Sequence, residues 1–301
     1  MFTYKASDGA DIAVYVWPTE APLAAVQIAH GMGEHAARYN RLANALNQAG
    51  YVVYANDHRG HGATTGLGRL GYLGGDGWNR VVADAYELNR YIATQYTGLP
   101  IVLLGHSMGA MMSQLYVTRH GDSISGLVLS GSPGFKSVLS GWLSRIIARI
   151  ESARLGATGE SALMQKLIFG SNNKPFERSG PTGFEWLSRD ARAVEAYVQD
   201  EACGFVLTVG SLLDLFNGSA MNSRPEVLAK MPKSLPIYVL SGTEDPVHGK
   251  QRDINRMLKA FYNQGLSRVV VKWYTNGRHE MFNETNRDTV VADLIQWLKS
   301  L

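Results

Sequence analysis

The chain has 301 residues, 45% of them hydrophobic and 18% charged, and a formal net charge of +3. Those proportions describe one large globular domain with an insertion, or two small domains, and exclude a disordered or low-complexity chain. The charges are interspersed rather than blocked, which leaves no footprint for nucleic acid.

A single cysteine, Cys203, allows no internal disulfide and no cysteine-based metal site. That usage suits a reducing compartment. The opening stretch MFTYKASDGADIAVYVW lacks the basic and then apolar pattern of a signal peptide. No run approaches the ~18 apolar residues that span a bilayer. The expectation is a cytoplasmic protein, with peripheral attachment to a membrane left open.

Short β-branched or apolar runs recur along the chain. IAVYVW (12–17) and AAVQIAH (24–30) read as strands, and SDGAD before the first has hairpin-turn chemistry. The spacing of RYNRLANALNQAG predicts a helix ending at Gly50, followed by the strand YVVYAND (51–57). A helical rhythm over 81–96 precedes the strand LPIVLLG (99–105). ISGLVLSG (124–131), LPIYVLSG (235–242) and RVVVKWY (268–274) complete the strands, with helices expected over 108–120, 250–264 and 286–299. Near-continuous apolar strands alternating with helices argue for a mostly parallel sheet covered on both faces, an α/β architecture. The alternation stops between about residues 133 and 234, where only helical pieces and loops are legible. We read 1–132 and 235–301 as the two parts of one core and 133–234 as an inserted helical cap.

In LLGHSMGAMM (103–112) a serine sits between glycines where a strand meets a helix. A turn that tight lifts the Ser107 side chain clear of the sheet. A serine hydroxyl attacks carbonyl carbon only when a base takes its proton and an acid orients that base. VLSGTEDPVHG supplies Asp245 after one later strand and YTNGRHEMFNE supplies His279 after the next. All three fall just beyond the C-terminal ends of strands, where open α/β sheets place their sites. Glu244 and Asp253 compete as the acid, and His248 competes as the base. Oxyanion donors are expected from the backbone N–H of Met108 and, in the glycine-flanked loop IAHGMGEH, of Met32, with Gly31 bordering the substrate. His30, His35, His58 and His61 lack close ligand spacing, so no metal is expected. NDHRGHG (56–62) lacks the form of a phosphate loop, so no nucleotide is implied.

HGMGEHAARY, NDHRGHG, GHSMGA, GTEDPV and GRHEMFNE, in that order, resemble the monoacylglycerol lipase and lysophospholipase family of α/β-hydrolases. The resemblance implies Ser107 as nucleophile, Asp245 as acid, His279 as base, Met32 and Met108 as oxyanion donors, a helical lid and no cofactor. It implies a single-chain lipid ester as substrate, with a soluble short-chain ester as the alternative. A hydrolase-fold binding protein with little turnover is the reading from another class. DEACGFVLT (200–208) is similar to a cap stretch usually closer to DPLCGF, from which Glu201 and Ala202 depart.

Within the insertion, apolar residues at 135, 138, 139, 142, 143, 146, 147 and 150 form one wide helical stripe, with Lys136, Arg145, Arg149 and Arg154 toward its edges. Ser137, Ser140, Gly141, Ser144 and Ala148 make the opposite face small. The favoured expectation packs the stripe on the core. The alternative is a peripheral contact of the 135–150 helix with lipid.

Overall fold

The strands form where the sequence concentrates β-branched and aromatic residues. In the computed structural model, which describes all 301 residues, eight of them join one sheet in the order β1-β2-β4-β3-β5-β6-β7-β8. They are β1 (Phe2–Lys5), β2 (Asp11–Trp17), β3 (Ala24–Ala29), β4 (Tyr51–Asn56), β5 (Ile101–His106), β6 (Gly126–Ser130), β7 (Ile237–Gly242) and β8 (Val269–Tyr274). The first two form an antiparallel hairpin, and β2 runs antiparallel to β4. From β4 to β8 every pairing is parallel. All seven expected strands are present. The short edge strand β1 was foreshadowed only by its turn, where Gly9 takes φ +87°.

Every residue of β3 through β7 is buried, because helices cover both faces. Helices Asn40–Gln48 and Arg287–Leu298 pack one face through Leu42, Leu46, Leu294 and Trp297. Helices Gly77–Gln95, Met108–His120 and Arg252–Asn263 pack the other through Leu88, Leu115 and Phe261. This is the α/β-hydrolase architecture that the resemblance implies.

Between β6 and β7 the chain forms helices and turns but no strand. Helix Val209–Met221 lies on helices Gly77–Gln95 and Met108–His120, and helix Val138–Leu155 lies against it. The apolar stripe divides between the two expectations, since Phe135 is buried in the core and Ile147 packs against it, while the first turns lie outside. The helix begins at Val138, with Ser137 Oγ accepting the Ser140 N–H at 3.2 Å, and Val138, Leu139, Trp142, Leu143 and Ile150 of its stripe face solvent. Val138 is 89% exposed, Leu139 73% and Trp142 52%. Of the small face, Ala148 is buried in the core with Leu212 and Leu215, and Ser137, Ser140, Gly141 and Ser144 border a cavity. Closely approaching helices seat small side chains between them, so the bulky face is left outside.

The start of helix Met108–His120 is pressed against the end of β3. A Cβ on Gly109 would lie 2.1 Å from the Ala29 carbonyl oxygen. Beside this contact, His30, His58 and His61 stack in a buried group, with ring centroids 4.1 Å apart for His30–His58 and 5.0 Å for His30–His61. The His58 N–H donates to His30 Nε2 at 3.0 Å, tying the loop after β4 to the loop after β3. His35 lies apart from this stack and pairs with Asp200 at 2.8 Å. Burial pushes His58 down to about 3 and His61 down to about 4, and neighbouring histidine charge adds to the effect; His30 is lowered well below its ordinary value for the same reasons.

Gly109→Ala overpacks backbone against backbone, and thermal melting should show a loss of about 1–3 kcal/mol or more. The buried histidines make the fold acid-labile. Unfolded histidines bind protons from about pH 6.5 downward, whereas the folded ones stay neutral until far lower pH. Stability is therefore full above pH 6.5 and falls as pH drops toward 4, each histidine steepening the fall by up to about 1.4 kcal/mol per pH unit. Melting temperatures taken from pH 8 to pH 4 should show the fall, and His61→Gln should make it shallower.

Candidate active site

A strand that passes directly into a helix must turn within one residue, and that residue leaves the ordinary backbone regions. Ser107 is the one, at φ +54° and ψ −113°. Such a conformation is strained for any residue but glycine and persists only where neighbours enforce it. Its N–H donates to the Ser130 carbonyl at 2.9 Å, and its own carbonyl accepts from Ala110 and Met111. Gly31 comes so near that a Cβ there would lie 3.3 Å from Ser107 Cβ. Neither the Met32 N–H nor the Met108 N–H has a protein acceptor, and both residues line the cavity that Ser107 lines. Met108 opens its helix, so the helix dipole adds to its donor strength.

The loops after β7 and β8 bring Asp245 and His279 together. His279 Nδ1 donates to Asp245 Oδ2 at 2.9 Å, and Asp245 Oδ1 accepts the Val247 N–H at 2.9 Å. Both residues are buried. Burial raises the Asp245 carboxyl, but His279, by charge and hydrogen bond, outweighs it and holds the group below the usual carboxylate range. Burial lowers His279, and the charge and hydrogen bond of Asp245, followed by Glu280 and Glu34, outweigh that and raise it overall. The His279 ring lies between Trp186 and His106, each with its centroid 4.8 Å away. With Nδ1 committed to a carboxylate, Nε2 carries the lone pair. Ser107 Oγ makes no hydrogen bond within the protein, a looseness common before substrate arrives.

The competing residues are occupied elsewhere. Glu244 is exposed. Asp253 lies in helix Arg252–Asn263, where it pairs with Lys136 at 3.0 Å and Arg256 at 2.5 Å. His248 Nε2 donates to the Gly242 carbonyl at 2.9 Å, and Nδ1 accepts the Gln251 N–H at 2.8 Å, so neither ring nitrogen is free.

A cavity of about 650 Å³ opens over Ser107 and His279 and runs beneath the inserted helices, with Met111, Leu212, Leu215 and Phe216 in its wall. The insertion is fastened to the loop after β3. Tyr197 Oη donates to the Gly33 carbonyl at 2.8 Å, and the Gly204 N–H donates to the same oxygen at 3.0 Å. Of the two departures in DEACGFVLT, Glu201 is exposed and Ala202 half-buried.

Sequence reasoning overlooked several residues here. Glu34 Oε1 accepts the Gly31 N–H at 2.6 Å and the Tyr39 hydroxyl at 2.9 Å, and Arg38 joins Glu34 to Glu280. Glu34, Arg38 and Glu280 stood inside HGMGEHAARY and GRHEMFNE and were legible there. Trp186 and Tyr197 lie in the insertion, where no pattern marked them.

Residues 20–286 match the family described as serine aminopeptidase, S33. The chain is 30% identical to a monoacylglycerol lipase of Mycolicibacterium smegmatis, over 97% of this chain and 94% of that protein. It is 28% identical to the human monoglyceride lipase, over 79% and 71% of the two chains. Among solved structures, a thermostable carboxyl esterase from Bacillus coagulans superposes with a TM-score of 0.90 at 26% identity, covering 99% of this chain and 97% of the other. A buried Asp–His pair beside a strained serine, in a chain with these likenesses, makes a carboxylic ester hydrolase of the α/β-hydrolase fold, and the chain belongs to the S33 serine aminopeptidase family.

Proposed function

We propose that this protein hydrolyses carboxylic esters of single-chain lipids, such as monoacylglycerols or lysophospholipids, through an acyl-enzyme on Ser107. The observation that carries the reading is the sharing of one cavity, with Met111, Leu212, Leu215 and Phe216 in its wall, by Ser107 and the Asp245-paired His279. Ser107 Oγ attacks the ester carbonyl while His279 Nε2 takes its proton, and Asp245 stabilises the imidazolium. The Met32 and Met108 N–H groups hold the tetrahedral oxyanion. As that intermediate collapses, His279 passes the proton to the leaving alcohol. It then deprotonates water for the second attack, which releases the fatty acid and restores Ser107.

The exposed stripe of helix Val138–Leu155 supports a further element of this reading, a docking face for a lipid surface. Contiguous exposed apolar side chains on this scale are uncommon on a monomer. Arg149 and Arg154 flank them in the exposed state, suited to anionic headgroups. Val138 and Leu167, both exposed, also line the cavity, so a single acyl chain leaving the bilayer meets apolar groups continuously toward Ser107. No helix of the chain is long and apolar enough to cross a membrane.

A fluorophosphonate should label the wild-type protein rapidly and Ser107→Ala not at all; a wild type that resists labelling would mean a binding protein. Ser107→Ala and His279→Ala should each lower turnover by several orders of magnitude without moving the melting temperature much, and Asp245→Asn should be severe through the wrong histidine tautomer. Across an ester series, kcat/KM should climb with acyl length by up to about 0.8 kcal/mol per buried methylene until the cavity is full. A steady decline from acetyl esters onward would favour a short-chain carboxylesterase on soluble esters. Trp142→Ser combined with Leu143→Ser, neither of which lines the cavity, should reduce vesicle co-sedimentation and hydrolysis of vesicular substrate while sparing a soluble ester. Unchanged vesicle binding would sink the docking face.

A further inference from the structure

Arg38 occupies an unusual place for a charged side chain. Its guanidinium is largely buried between two carboxylates that belong to different loops. Nη1 donates to Glu34 Oε2 at 2.5 Å and to Glu280 Oε1 at 2.7 Å, while Nη2 donates to Glu280 Oε2 at 2.7 Å. The planar fork meets Glu280 through both of its oxygens, a geometry that a lysine cannot reproduce. A third element closes the group, because the guanidinium lies over the Tyr197 ring, 4.7 Å from its centroid.

Each partner of Arg38 is tied to a residue of the reacting centre or its neighbour. Glu34 holds the N–H of Gly31, the residue before the proposed oxyanion donor Met32. Glu280 follows His279 directly in the chain, and Asn283 Nδ2 supports it at 2.9 Å. Tyr197 holds the Gly33 carbonyl in the same loop as Met32. One guanidinium therefore spans the loop after β3, the loop after β8 and the inserted segment.

The bridge is also unbalanced in charge. Burial raises the Glu280 carboxyl, but the charge and hydrogen bonds of Arg38 outweigh it and hold the group at about 2. Two carboxylates, those of Glu34 and Glu280, face the one guanidinium beside the histidine. The charged and titratable groups around His279 are Asp245 from the loop after β7, Glu34 and Arg38 from the loop after β3, Glu280, and His106 from the end of β5. Burial pushes His106 down to about 4, so it is neutral during turnover. Arg278 precedes His279, but its guanidinium turns away to the carbonyls of Glu185 and Ser188.

We propose that Arg38 and Glu280 are positioning residues of the hydrolysis: their bridge to Glu34 holds the oxyanion loop in register with His279 and fixes the negative charge that steadies the imidazolium. The inference rests on the serine-hydrolase reading above. Both tetrahedral intermediates carry an imidazolium and an oxyanion together, so a link that sets the spacing between their supports acts on the step where both charges exist.

The test uses the full chain, a soluble p-nitrophenyl ester, and saturating fluorophosphonate to count active sites so that rates refer to folded protein only. Labelling of the wild type secures the serine-hydrolase reading independently of the variants. Glu280→Gln keeps the shape and removes the charge. Its kcat/KM profile should move its acid limb to lower pH by about one to two units, the effect of one charge at roughly 6–12 Å in an effective dielectric of about 20. Arg38→Lys keeps the charge and loses the fork. It should lower kcat about tenfold or more per active site, the scale of a misplaced catalytic group, with KM for the small ester and the acid limb near their wild-type values. A Glu280→Gln acid limb at the wild-type position, or an Arg38→Lys kcat per active site equal to the wild type, would overturn the proposal. If Arg38→Lys does not fold, the Glu280→Gln profile still decides.

Discussion

The structure depends first on how closely three backbone segments meet at the end of β5. Gly109 touches the Ala29 carbonyl, a Cβ on Gly105 would lie 2.4 Å from the Gly109 carbonyl oxygen, and Gly31 rests against Ser107. Gly105 and Gly109 admit no side chain and Gly31 leaves little room for one, so the sheet, the helix Met108–His120 and the loop after β3 come within van der Waals distance of one another. That density holds Ser107 in its positive-φ conformation against local strain. It also leaves the Met32 and Met108 N–H groups on one cavity wall without protein acceptors. The strain and the free donors have the same cause.

Around that point the ionisable groups form three clusters, almost all of them buried. Asp245 and His279 are buried and hydrogen-bonded to each other. Glu34, Arg38 and Glu280 stand behind the histidine, and the His30–His58–His61 group, kept neutral by burial, stands behind the loop after β3. Buried charge is costly unless each group finds a partner. Here Glu34 and Glu280 share one guanidinium, Asp245 has a histidine, and backbone or side-chain donors satisfy further carboxylate oxygens. A site held in this way needs little reorganisation when charge develops in a transition state.

The inserted segment serves two surfaces at once. Its inward side seats small residues and places Trp186 on the His279 ring, Tyr197 on Arg38 and Phe205 on His61. Its outward side leaves Val138, Leu139 and Trp142 in solvent beside the cavity opening. A helix whose small face packs on the core must expose its bulky face, and the apolar exposure follows from that geometry.

How much of this was legible in the chain differs by element. The strands were, because buried parallel strands are continuous apolar runs bounded by turn residues. So were Ser107, Asp245 and His279 as candidates, because each stands at a strand end in its own turn, and their order along the chain is written in sequence. The helix over 81–96 was readable from its period, and those expected at 108–120 and 286–299 from their places beside the strands. The stripe at 135–150 reads as a helix with two unlike faces, but how each turns is set by packing against the helix Val209–Met221, about seventy residues away. Periodicity gives the width of a face and not its direction. The meeting of His279 with Asp245 and of Lys136 with Asp253 likewise joins partners distant in the chain, whereas Arg256 at Asp253 and the backbone groups that use both nitrogens of His248 are near neighbours. Local pattern and turn chemistry thus determined the elements and the inventory of candidate groups. Only the tertiary structure decided which groups face one another, because burial and hydrogen bonding between remote segments have no local signature.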